Sequence, residues 1–117
     1  MKINTANFQW STNEQLWPFE KTKDGETLYC KEFNVGYLQS GSPLRAALGA
    51  IEPIKIWRYE ARGISPSTNA TVSIPFPYAP GLMYQISIQF YNGNIELETQ
   101  YVGWSSYYVY VRLIYTK

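Results

Sequence analysis

Histidine is absent from the 117 residues of this chain. That absence removes Ser-His-Asp and Cys-His nucleophile activation, histidine general bases and histidine-ligated metals. Cysteine occurs once, as Cys30, which excludes an intrachain disulfide and the zinc sites that need several thiolates at fixed spacing. Cys30 stands in a strand-like run beside Leu28 and Tyr29. It reads as a small buried hydrophobe, because neither an imidazole nor a Cys-x-x-Cys pair is there to activate the thiol. Charge of either sign is sparse: Lys and Arg number 10 against 9 Asp and Glu, a net +1 scattered along the chain. Neither nucleic acid nor an anionic membrane surface would find the basic patch it needs. No stretch approaches the ~20 apolar residues of a membrane helix, and residues 1–8 carry no signal-peptide core. Asn69-Ala70-Thr71 fits a glycosylation acceptor, a chance match without a secretory route. Repeats, linkers and low-complexity segments are missing as well, so the chain reads as one domain, large enough to bury a core without a staple.

What the chain does have is aromatic: 17% of it, including 11 tyrosines. Aromatic and β-branched residues suit pleated, half-buried surfaces, and the prolines and glycines fall mostly between apolar runs. The clearest pattern begins at Tyr84, where Tyr84, Ile86, Ile88 and Phe90 alternate with Gln85, Ser87 and Gln89. Asn92-Gly93 follows, the dipeptide favoured in a type I′ hairpin because both positions accept φ > 0. Ile95, Leu97, Thr99 and Tyr101 then alternate with Glu96, Glu98 and Gln100. A two-residue loop at Asn92-Gly93 sets Tyr91 opposite Asn94, Phe90 opposite Ile95, Ile88 opposite Leu97 and Ile86 opposite Thr99, and a one-residue slip would break every pair.

Beyond a loop at 102–106, Tyr107, Val109, Val111, Leu113 and Tyr115 would face the core, completing a three-stranded meander with that hairpin. Ala70, Val72, Ile74 and Phe76 mark another strand, stopped by Pro75 and Pro77. Residues 54–62 read as a strand with weak contrast between its faces. Residues 27–35 shift phase between Cys30 and Phe33, the mark of a bulge. Pro43 to Ala50 has room for one helical turn. Trp10, Trp17 and Phe19 predict that residues 1–22 form an arm packed on this domain or on a neighbouring subunit. Residues 23–117 are expected to form an all-β, antiparallel β-sandwich or jelly-roll-like domain.

Candidate chemistry is thin. Glu96 and Glu98 share one strand face about 7 Å apart, a glycosidase-like separation. They sit opposite Gln89, Ser87 and Gln85 on a polar face, whereas a catalytic acid needs an apolar setting to stay protonated. Lys55, Arg58 and Arg62 accompany Trp57 and Tyr59, too few cations and too near acids for a nucleic-acid groove. Tyr108, Tyr110 and Arg112 are more informative, because they lie on the face opposite the inferred core. Trp104 and Ser105 stand in the loop that feeds their strand. Flat rings can stack on a sugar while hydroxyl and guanidinium donors orient it. Two structural readings compete and together outweigh it on the residues alone: a second sheet over the tyrosines, or a subunit interface, where Tyr and Arg are enriched.

The order of motifs carries more. Trp10-Ser11-Thr12-Asn13-Glu14-Gln15, then Asp24-Gly25 with Leu28-Tyr29 and Lys31, then Gly36-Tyr37-Leu38, then the closing Tyr115-Thr116-Lys117 together resemble small β-domains of bacteriophage tail-fibre and baseplate proteins. Val72-Ser73-Ile74-Pro75-Phe76 with Pro80, and a tryptophan before the last strand, are similar to H-type lectins. In that family the residue after the tryptophan is a histidine; here it is Ser105. These resemblances imply an H-type-lectin-like sandwich, a homotrimer in the virion tail made in the bacterial host cytoplasm, and contacts to other tail or baseplate proteins. They also imply a non-catalytic role without cofactor, metal or membrane insertion. Its task would be adhesion to a host surface glycan through Trp104, Ser105, Tyr108, Tyr110 and Arg112. The alternative is a structural virion module for trimerisation or baseplate attachment. Met1 and the Thr116-Lys117 ending read as a self-standing polypeptide.

Overall fold

The computed structural model describes residues 8–49, 55–76 and 84–117. The expectations that touch residues 1–7, Ala50, Ile54, Pro77 and Pro80 lie outside these residues. The rest form an all-β sandwich of two antiparallel sheets. Its described strands are β1 (Gln15–Leu16), β2 (Tyr29–Tyr37), β3 (Leu44–Ala47), β4 (Lys55–Ile64), β5 (Thr71–Ile74), β6 (Ile86–Tyr91), β7 (Asn94–Thr99) and β8 (Tyr108–Thr116). One sheet runs β1-β2-β8-β4-β5 and the other β3-β7-β6.

The β6–β7 hairpin forms in the expected register, with Ile86 opposite Thr99, Ile88 opposite Leu97 and Phe90 opposite Ile95. Asn92 and Gly93 take the positive φ values of 52° and 79° that the turn requires. Local turn chemistry and burial pattern agree here, so both select the same register.

The meander does not form. β8 leaves the hairpin and becomes the centre of the other sheet, between β2 and β4. A 3-10 helix at Val102–Ser106 replaces the tight loop a meander would need and carries the chain across. The destination is set by burial: Val109, Val111, Leu113 and Tyr115 are fully buried between the sheets, and Ile114 is buried on the opposite face. A strand with one face fully buried and part of the other covered is best satisfied in the middle of a sheet.

Two further expectations are corrected. Residues 44–47 are a strand, not a helical turn; Leu44 pairs with Leu97 and Ala47 with Asn94, so β3 closes the free edge of β7. The β2 bulge lies between Asn34 and Gly36, not between Cys30 and Phe33. The apparent phase shift has a different origin. Leu28 and Cys30 face outward but are buried under Phe8, Trp10 and Trp17, while Phe33 belongs to the inter-sheet core.

The described part of the arm therefore packs on its own domain. Phe8, Trp10, Trp17 and Phe19 meet ring edge to ring face at centroid distances of 4.6–6.0 Å, apart from a tilted Trp10–Trp17 pair at 5.4 Å. Gln15 and Leu16 add β1 to the sheet edge beside Cys30 and Tyr29.

Candidate functional site: the outer face of the larger sheet

Residues directly opposite on paired antiparallel strands share a face, so the register of β2, β8 and β4 fixes which side chains meet outside. One row is Glu32, Arg112 and Glu60; the next is Asn34, Tyr110 and Arg62; the last is Tyr37, Tyr108 and Ile64. Tyr37 meets Tyr108 edge to face at 5.1 Å, and Tyr108 tilts against Tyr110 at 5.0 Å. Tyr108 and Tyr110 are half-buried, while Tyr37 is 51% exposed. The result is a shallow aromatic platform bordered by an amide and a guanidinium.

Arg112 joins this platform to the arm. Its Nε donates to Glu32 Oε2 at 2.7 Å, and its guanidinium lies 5.1 Å from the centroid of the Trp10 ring. A groove of about 450 Å³ opens beside it, lined by Trp10, Trp17, Arg58, Glu60 and Arg112 among others. Arg58 is paired with Glu20 of the arm, and Arg62 Nε lies 3.8 Å from Glu60. Two of the three cations of the basic strand read from the sequence, Arg58 and Arg62, thus face carboxylates. Trp57 sits at the register shift of β4, and Tyr59 turns inward to pack on Phe90 at 5.1 Å.

The arm is also held at the C-terminus. Tyr115 Oη donates to Glu14 at 2.5 Å, and Lys117 Nζ lies 2.5 Å from the same carboxylate. Burial alone would raise the Glu14 pKa, but the hydrogen bonds from Lys117 and Tyr115 and the Lys117 charge outweigh it and hold the group below its usual value. Beneath the arm, burial pushes the Cys30 thiol up to about 11, as expected for an inert, covered cysteine.

The structure divides the five residues singled out from the sequence. Tyr108, Tyr110 and Arg112 alternate along the outer face as expected. Trp104 does not join them. It packs against the inter-sheet core at the end of the sandwich, its Nε1 donating to the Tyr84 carbonyl at 2.9 Å and its ring meeting Phe76 and Tyr107. Ser105 stays exposed on the same 3-10 helix. The chain matches no family model, no curated protein and no solved structure.

Sequence reasoning missed Asn34, which lies two residues beyond Glu32 on the same face, and Tyr37, which reaches the platform only because the β2 bulge resets the alternation before it. It named Arg62 and Trp10 without connecting them to β8. The paired glutamates behave as a polar face: Glu96 accepts from Arg45 Nε at 3.0 Å and from Gln89 Nε2 at 3.1 Å, and Glu98 lies opposite Ser87. Glu96 is more enclosed than its pattern implied, at 9% exposure, because Arg45 and Gln89 close over it. Among the described residues no three His, Cys, Asp or Glu side chains cluster to hold a metal, and no helix is long and apolar enough to cross a membrane.

Proposed function

We propose that this domain is a non-catalytic adhesion module of a bacteriophage tail or fibre tip, binding host cell-surface carbohydrate on the outer face of its larger sheet. The observation that carries this reading is the platform of Tyr37, Tyr108 and Tyr110 beside Asn34, Arg62 and Arg112. Rings offer an apolar surface to the C–H face of a pyranose, and neighbouring amide and guanidinium groups can orient its hydroxyls. The resemblance to phage tail domains supplies the setting. Trp104 drops out of this site, since its ring and indole N–H are engaged inside the sandwich end.

A Tyr108→Ala, Tyr110→Ala double variant should keep its fold and lose binding to host cells and to a glycan array. Unchanged binding would overturn the site. The same face supports a second reading, favoured by Tyr37 standing 51% exposed against Tyr108: a subunit interface of a structural trimer, where Tyr and Arg are enriched. Light scattering separates the two. A parent trimer that the double variant dissociates, with no glycan bound by the parent, would establish the structural role and end the adhesion reading.

A further inference from the structure

Arg58, Arg62 and Arg112 stand on the outer face of the larger sheet, and two of them meet a carboxylate within hydrogen-bond distance. Arg112 Nε donates to Glu32 Oε2 at 2.7 Å, and Arg58 donates to Glu20. Arg62 is different. Among the described residues the one carboxylate beside it is Glu60, whose Oε1 lies 3.8 Å from Arg62 Nε, beyond hydrogen-bond distance. The Glu60 side chain is 60% exposed, whereas that of Arg62 is more covered, at 37%. A guanidinium carries five donors and no acceptor, so Arg62 keeps charge and donors that its neighbour does not take up.

The register shows what surrounds it. Arg62 lies opposite Tyr110 on β8 and opposite Ser73 on β5, and Tyr110 lies opposite Asn34 on β2. Neighbouring strands are about 4.8 Å apart, so one row across the face sets the Tyr110 ring between an amide and a guanidinium, with the exposed Ser73 hydroxyl beyond. Asn34 and Ser73 both donate and accept, as sugar hydroxyls require. A neutral sugar would cover the Arg62 charge without meeting it. A carboxylate meets it, because the guanidinium fork takes both oxygens in charge-assisted bonds about twice as strong as neutral ones. A phosphomonoester brings about two negative charges, more than one guanidinium balances with Glu60 alongside.

We propose, on the adhesion reading of this face, that the glycan it binds is acidic: a pyranose that rests on Tyr110 and gives its carboxylate to Arg62. Glu60 is then the like charge nearest to the bound acid and holds its affinity down. Glu32, one row away, is already engaged by Arg112.

The test is an array of carboxylated, phosphorylated and neutral oligosaccharides. Titration calorimetry follows with the strongest carboxylated ligand and with its methyl ester, which keeps the ring and removes the charge. The acid is expected to bind at least about tenfold tighter than the ester, and less tightly as salt is raised. Arg62→Gln should abolish that preference, and Arg62→Lys should restore only part of it, since the ammonium keeps the charge and loses the fork. Glu60→Gln should tighten the acid by about two- to threefold and leave the ester unchanged, a gain that misfolding cannot produce. Binding confined to neutral or phosphorylated glycans, equal affinity for acid and ester, or parental binding by Arg62→Gln would overturn the acidic assignment and leave adhesion standing. An array on which the parent binds no glycan would end the adhesion reading, and the acidic assignment with it.

Discussion

The outer face of the larger sheet holds two aromatic regions built on the same strands. At one end Phe8, Trp10 and Trp17 cover Leu28, Cys30 and Ile114, which are buried. At the other, Tyr37, Tyr108 and Tyr110 border Asn34 and Arg62, and Tyr37 is mostly open. The side chains beneath explain the difference. Where the sheet presents Leu, Cys and Ile, only burial is favourable, and the arm supplies it. Where it presents Tyr, Asn and Arg, each residue keeps a polar tip that water can satisfy. Rings over apolar residues make a lid; rings among polar residues make a surface available to a partner.

The comparison breaks most sharply at Trp17, which touches Phe8, Trp10 and Phe19. Trp17→Ala should cost about 2–3 kcal/mol in urea unfolding, less than a fully buried tryptophan because it is half-buried. It should also speed alkylation of native Cys30 at neutral pH by at least about tenfold, since the arm shields that thiol. Unchanged labelling would mean that the arm is not the lid. At the seam, Glu32→Gln removes the charge that faces Arg112. The pair is partly solvated, so about 1 kcal/mol is expected, and a shift in Trp10 fluorescence should accompany it.

On the open side the expectation reverses. Tyr110→Ala should cost under about 1 kcal/mol yet weaken glycan binding at least about tenfold. A stability loss matching that of Trp17→Ala would erase the distinction between lid and platform. The smallest effect concerns acid. The folded-state pKa of Glu14 is depressed, so its contribution is present above the ordinary glutamate value of about 4.3 and is lost as pH falls through the folded value. Glu14→Gln should flatten that limb of the stability–pH curve; an unaltered limb would show that the clasp contributes nothing.

The candidate site was only partly legible in the chain. The alternation of Tyr108, Tyr110 and Arg112 with Val109, Val111 and Leu113 was visible, because side chains in a strand repeat with period two. The partners of those residues were not. Glu32 and Arg112 are 80 positions apart, and no local pattern names a strand's neighbours at that distance. Trp104 misled for the same reason. Its loop was recognised, but the direction of the ring depends on a carbonyl at Tyr84, across the sandwich end.

By itself the sequence determined the β6–β7 hairpin with its register and the inward residues of β8. Each depends on turn chemistry or on periodicity acting over a few residues. Tertiary structure alone decided that β8 crosses to the larger sheet, that residues 44–47 become an edge strand and that the arm covers Leu28, Cys30 and Ile114. Those choices come from matching apolar surfaces distant in the chain, where burial against a particular neighbour outweighs any local preference.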